Sequence, residues 1–323
     1  MSIAPEYDHV VTAREGLPYH LVLRGGWPGT WRPLVGLLAL AIGMVLVLPL
    51  LVMVPFAVFY AATGQEVGTS VTRLVDLSQP TPAGLAYLNL ALAGLIPLTW
   101  LLVRFLHGLR PRWVSSVFPR LRWRYLLICL GLAFVALIAT VAVSALLPQQ
   151  AATSLGGGVN EFTPTLRSFL LVVLFLTPLQ AAAEEYAFRG YLLQAFGGLF
   201  RSPYLAVAAS SLLFALAHGA QDPPIFFDRF AFGLVAGTLV ILTGGLEAGI
   251  AMHVLNNWLA FSVALAFGDM SSALNPTGGT WWSIPVTLTQ SLTYLALAWW
   301  VARQLGLTTR TDPAVLAAPE RRV

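Results

Sequence analysis

Glu184 and Glu185 stand side by side at the end of an apolar run, Leu166 to Ala183, with Arg189 just beyond them. Hydrocarbon solvates charge badly, so ionisable groups in a membrane-type segment mark a functional site. On a helix Glu185 and Arg189 are i and i+4, share a face and can pair. Glu184 points about 100° away toward a different neighbour. One carboxylate is thus neutralised locally and the other is left for chemistry. Two further clusters follow: Phe214-Ala215-Leu216-Ala217-His218, at the end of an apolar run, and His253-Val254-Leu255-Asn256-Asn257, inside another. His253 and Asn257 are again i and i+4, so one helix face offers an imidazole and a carboxamide. The other three histidines, His9, His20 and His107, fall outside the apolar segments. A carboxylate, two imidazoles and an amide suffice for hydrolysis. The carboxylate takes a proton from water, one imidazole orients that water, and His and Asn donate to the developing oxyanion. Each cluster also has a plainer explanation: a helix end surfacing with both acids solvated, or histidines hydrogen-bonded in helix packing.

The elements that would hold these groups are membrane helices. The chain has 323 residues, 57% hydrophobic and 10% charged, with a mean hydropathy of +0.76, whereas soluble domains carry about a quarter charged residues. All 18 basic residues are arginine, so the net charge of +4 is a matter of topology and gives no sign of nucleic-acid binding. Cys129 is alone, which excludes an internal disulfide and a cysteine-based metal site. Residues 1–32 carry Glu6, Asp8, Arg14, Glu15 and Arg24 and lack the apolar core of a cleavable signal peptide.

At roughly 20 apolar residues per crossing, the chain is expected to be all-α and polytopic. About eight transmembrane helices, near 34–62, 84–106, 125–147, 166–186, 203–220, 228–244, 246–268 and 282–302, would form a bundle around an intramembrane cavity. With the N-terminus inside, 15 arginines fall in cytoplasmic segments and three, Arg73, Arg167 and Arg229, outside, as the positive-inside rule requires. Both termini are then cytoplasmic, and the setting is a bacterial plasma membrane.

The corresponding organisation is a cytoplasmic segment 1–33, helices 1–3 with their loops over 34–164, a catalytic core over 165–270, a last helix within 271–306 and a disordered cytoplasmic tail 307–323. The loop 107–124, with five arginines besides Trp113 and Trp123, suits either an amphipathic stretch on an anionic leaflet or a topology anchor. Residues 148–164 read as a mobile outer loop, and Pro178 is placed to kink the helix before Glu184. Glu247 reads as an interfacial helix-start acid, and Asp222 and Asp228 as turn formers beside Pro223-Pro224. Counted at about 1.5 Å per residue, His253 lies about 10 Å in from the cytoplasmic side but His218 about 22 Å. Either the fifth helix starts later than 203 or it is strongly tilted.

The ordered set Glu-Glu-x-x-x-Arg, Phe-x-x-x-His and His-x-x-x-Asn resembles the CPBP (Abi) family of intramembrane proteases, which includes the eukaryotic Ras-converting CAAX prenyl endopeptidase. Glu184, Glu185 and Arg189 match its first motif, Phe214 and His218 its second, His253 and Asn257 its third. The resemblance covers roughly 165–270. It implies that Glu184 and His218 activate water and that His253 with Asn257 stabilises the oxyanion, while Glu185, Arg189 and Phe214 support them.

Zinc is the open cofactor question, since Glu184, His218 and His253 would make a His-His-Glu set with a free fourth position. Against it stand the missing His-Glu-x-x-His helix and the lack of an orienting carboxylate for either histidine. The expectation is a metal-free endopeptidase acting on a membrane-associated polypeptide from a cavity open to the cytoplasm. A proton-coupled transporter and a non-catalytic bacteriocin-immunity-type protein are the alternatives. The absence of an internal repeat counts against the former.

Overall fold

A hydroxyl cap followed by proline starts three of the apolar helices. Thr81, Thr163 and Ser202 accept hydrogen bonds from the backbone N–H groups of Gly84, Leu166 and Leu205, with Pro82, Pro164 and Pro203 in the first turn. The computed structural model describes residues 16–144, 158–219 and 222–313, and all regular elements among them are helical. In chain order they are α1 (Trp31–Ala62), α2 (Val67–Val75), α3 (Pro82–Leu106), α4 (Trp123–Ser144), α5 (Pro164–Phe200), α6 (Pro203–Ala217), α7 (Pro223–Thr243), α8 (Glu247–Phe267), α9 (Met270–Leu274) and α10 (Ser283–Gln304).

The polytopic all-α class is as expected, but the number of spans is not. Six described helices, α1, α3, α4, α5, α7 and α8, are long and apolar enough to cross a membrane. Helix α6 has only 15 residues. Helix α10 has 22 but carries Thr287, Thr289, Gln290, Ser291 and Thr293, which lower its hydropathy.

The largest difference lies in α5. The apolar run was expected to end near residue 186, yet the helix continues to Phe200. Its course is broken at Leu176, with Pro178 in the next turn as the sequence suggested, and it widens to π geometry over Glu185–Leu192. Glu184 therefore sits in mid-helix. This also removes the depth mismatch. Helices α5 and α6 form an antiparallel hairpin about the Arg201–Ser202 turn, and Glu184 and His218 each lie roughly 25 Å from it.

Helices α5 and α8 form the centre, α6 and α7 flank them on one side, α4 and α10 pack behind, and α1 with α3 lies outermost. Close approach of α6 and α7 depends on Gly233 and Gly237, four residues apart on one face. A Cβ on Gly233 would lie 2.8 Å from the Ser211 Cβ and 3.0 Å from its Cα, and one on Gly237 would lie 2.9 Å from Val207. Gly233→Leu is expected to separate the two helices and displace His218, costing about 1–3 kcal/mol of stability. Thermal unfolding in detergent should show the loss. An unchanged melting temperature would mean that the contact has slack.

Loop 107–124 is packed into the protein over its middle. Leu109, Trp113, Val114, Ser115, Ser116 and Val117 are buried, and Ser116 forms an antiparallel bridge with Gly245. The Leu246 N–H donates to the Ser115 carbonyl and the Val117 N–H to the Gly244 carbonyl. Arg122 explains the attraction. Its Nε and backbone N–H donate to Glu247 Oε1 at 2.9 and 2.8 Å, its Nη2 to Oε2 at 2.6 Å, and its Nη1 to the Thr243 carbonyl at 2.9 Å. Glu247 is thus an acid in the first turn of α8, as expected, but a fully buried one, partnered by this arginine.

The two ends of the described chain meet at the same arginine-rich face. The Leu17 N–H donates to Thr311 Oγ1 at 2.8 Å, and the Thr311 N–H to the Leu17 carbonyl at 2.9 Å. The expected tail therefore begins with an anchored stretch, and residues 314–323 lie outside the described residues. So do residues 1–15 and most of the expected outer loop, 145–157.

Candidate active site

The three motifs converge where α5, α6 and α8 meet. Gly249, one turn before His253, lets α8 approach the glutamates: a Cβ there would lie 2.7 Å from Glu185 Oε2. Glu185 is fully buried and receives Arg189 Nη1 at 2.9 Å, the i, i+4 pair that the spacing predicted. The same Oε1 lies 2.9 Å from His253 Nδ1. A carboxylate only accepts, so the proton is on Nδ1 and a neutral His253 presents Nε2 as an acceptor. That nitrogen faces Glu184 Oε2 at 3.6 Å, too long for a direct hydrogen bond. Glu184 Oε2 is buried without a hydrogen-bond partner, while Oε1 accepts from Gln180 Nε2. Two acceptors thus face each other across a gap that a proton donor such as water would satisfy.

His218 ends α6, where its Nδ1 lies 2.8 Å from the Phe214 carbonyl. The carbonyl can only accept, so the neutral ring again carries its proton on Nδ1. The Glu184 carboxylate lies within electrostatic reach of the His218 ring, as does the Arg229 guanidinium. Phe214 fixes the group from the middle. Its ring centroid is 4.6 Å from that of His218 and 5.9 Å from that of His253, and the Arg189 guanidinium carbon stands 4.0 Å over its face. A buried arginine with one carboxylate is held partly by this aromatic face. Asn257 does not reach His253; it donates from Nδ2 to Gln180 Oε1 at 3.0 Å.

All seven residues singled out by the motifs are therefore in one cluster. Several others in or beside it were given another role or none. Gln180 joins Glu184 to Asn257, and its position one turn before Glu184 on the same face was the available sign. Phe232 stacks with Phe214 and meets His253 edge-on at 5.3 Å, and nothing in the sequence distinguishes it from other core aromatics. Asp228 and Arg229 were assigned to a turn and to the outer side. They lie in the second turn of α7, and each has a buried polar atom without a hydrogen-bond partner.

The histidines also have the orienting acceptors that sequence reading missed: Glu185 for His253 and a backbone carbonyl for His218. A His-His-Glu zinc site would nevertheless need three donors around one point. Among the described residues no three His, Cys, Asp or Glu side chains converge in that way.

Exposure shows how the cluster is reached. Toward the arginine-rich face it is closed by a layer in which Val114, Ser115, Tyr186, Arg189 and Leu246 are all buried, with Ser115 Oγ 2.7 Å from the Tyr186 hydroxyl. Glu184 and His253 are buried too, whereas His218 and Asn257 are half-exposed. His218 stands at the C-terminal end of α6, whose Leu212, Leu213 and Leu216 face outward.

A polytopic helical membrane protein with this Glu-Glu/His/His-Asn cluster is similar to the CAAX-protease-like endopeptidases. Residues 166–259 match the family described as Type II CAAX prenyl endopeptidase Rce1-like, in agreement with the resemblance read from the motifs. Over 217 residues the chain is 28% identical to the uncharacterized protein YyaK of Bacillus subtilis (strain 168), covering 64% of this chain and 71% of that one. No solved structure matches the chain.

Proposed function

We propose that this protein is an intramembrane endopeptidase that hydrolyses a peptide bond of a membrane-associated polypeptide by a glutamate-dependent, metal-free mechanism. The observation that carries the reading is Glu184 Oε2, a buried carboxylate oxygen without a hydrogen-bond partner, facing His253 Nε2, with His218 held against the same Phe214 ring as His253. A water placed there gives one hydrogen to Glu184 Oε2 and is oriented through the other by His218 Nε2. As the carbonyl carbon is attacked, its oxygen becomes an anion, for which the free N–H of Asn257 is a donor. His253 is the second once its Nε2 has taken up a proton from solvent before the attack: it gives Nδ1–H to Glu185 and Nε2–H to the oxyanion, and keeps both protons through the cycle. Glu184 then returns the proton to the leaving amine. The substrate reaches the site from the bilayer at the end of α6, which matches the apolar surface there. A bacterial plasma membrane with both termini cytoplasmic is the setting that the arginine distribution supports.

The test is cleavage by the detergent-purified protein, read by mass spectrometry. The substrates are short prenylated and unmodified C-terminal peptides and transmembrane fragments of host proteins, each with and without a chelator. Cleavage that survives the chelator is expected. Cleavage abolished by the chelator and restored by zinc would overturn the metal-free mechanism. Pure protein that cleaves nothing but carries proton flux in vesicles would overturn the protease reading.

A further inference from the structure

We infer that Gln180 is a positioning residue that selects the basic oxygen of Glu184 and fixes the amide of Asn257 through a single hydrogen-bond chain. This rests on the endopeptidase reading above, and it assigns a function to a residue that lies outside the three motifs.

The direction of the chain follows from chemistry. A glutamate acting as base is an acceptor, so the Gln180 group that meets Glu184 Oε1 must be its NH2. The opposite end of the Gln180 amide is then its oxygen, which can only accept. The Asn257 group 3.0 Å away must accordingly be the NH2. Each amide is locked in one of its two orientations by its neighbour in the chain, and the accepting carboxylate sets the sense for both. Two consequences follow. Glu184 Oε1 is occupied, so the proton taken from water goes to Oε2, the oxygen that faces His253. One N–H of Asn257 is used, so the other is directed away from Gln180 and is available to an oxyanion. Gln180 and Glu184 share a face one turn apart on α5, while Asn257 comes from α8. The chain therefore ties the base and the oxyanion donor together across the helix pair that builds the site. Gln180 is buried, as the second link of such a chain needs to be.

The test is a double-mutant cycle on cleavage by the purified full-length protein, using Gln180→Met and Asn257→Ala singly and together. Met keeps the volume and apolar stem of Gln but neither donates nor accepts strongly. Gln180→Met is expected to lower kcat about 10- to 100-fold with KM changed less than about threefold, as for loss of an orienting partner. Because part of that loss acts through Asn257, the double variant should be less active than Asn257→Ala by clearly less than the single effect of Gln180→Met. Gln180→Glu, which when protonated can donate to Glu184 and accept from Asn257, should recover part of kcat. Additive effects, or a Gln180→Met protein that is destabilised but fully active once folded, would overturn the inference and leave Gln180 a packing residue. If wild type itself cleaves no substrate, the endopeptidase reading has failed. If wild type cleaves and the cycle is additive, only the assignment of Gln180 has.

Discussion

Glu184→Gln should fold as well as the wild type and be catalytically dead. The substitution keeps the shape of the side chain, and its oxygen can still accept from Gln180 Nε2. Its new NH2 would face His253 Nε2, which in the neutral ring is a free acceptor 3.6 Å from the present Oε2. The variant thus gains a partner where the wild type has a buried oxygen with none. Its melting temperature should be equal to or above that of the wild type. What it loses is any group able to take the proton of water, a contribution of about 10²- to 10⁴-fold in rate for a positioned general base. The expected result is a fall of kcat of about 10²- to 10⁴-fold with substrate still bound. Cleavage within tenfold of wild type would remove Glu184 from the base role. A fall in activity matched by a fall in folded protein would make it a structural acid. Stability raised by loss of a functional side chain is the usual trade at an active site.

The chemistry of the site was more legible in the sequence than its surroundings. Spacing alone placed Glu185 on Arg189 and left Glu184 free, because an i, i+4 relation survives the π widening of α5. It also put His253 and Asn257 on one face. It did not show that Glu185 serves α8 as well as its own helix. That contact needs two helices to approach at Gly249, a tertiary fact that no local pattern carries.

The span boundaries failed for a related reason. Residues 187–200, with Arg189, Tyr191, Gln194 and three glycines, look like a cytoplasmic loop by hydropathy. They form a buried helix because protein, and not lipid or water, surrounds them. Arg189 and Gln194 are fully buried, with Gln194 donating to the Trp113 carbonyl at 3.1 Å. The same protein-lined environment took in Arg122 and Trp113. It also buried Glu247, which composition had placed at an interface. Hydropathy reports affinity for lipid, and it fails where the partner of a polar segment is another part of the chain.

Arg189→Met is expected to be the most damaging single change outside Glu184, and through folding before catalysis. It leaves Glu185, with no exposure at all, facing only a histidine, and removal of one partner of a buried pair typically costs about 3–5 kcal/mol. It also takes away the cation that stands over Phe214. The folded yield should drop, and what remains should melt about 10 °C lower, given a few degrees per kcal/mol for a chain of this size. The double variant Glu185→Gln/Arg189→Met removes both charges together and should regain most of the lost stability, since an uncharged pair needs no counter-ion. It should not regain full activity. The amide oxygen introduced by Glu185→Gln can still accept from His253 Nδ1 and hold the ring, but it offers no negative charge to an imidazolium, so kcat should remain about 10- to 100-fold low. Folded yield and kcat measured on the same preparations separate the two roles of the pair. An Arg189→Met protein that folds and cleaves like the wild type would show that His253 and water neutralise Glu185 without the arginine. Full activity in the double variant would show that the pair serves the fold alone, and that orientation of His253 needs an acceptor but not a charge.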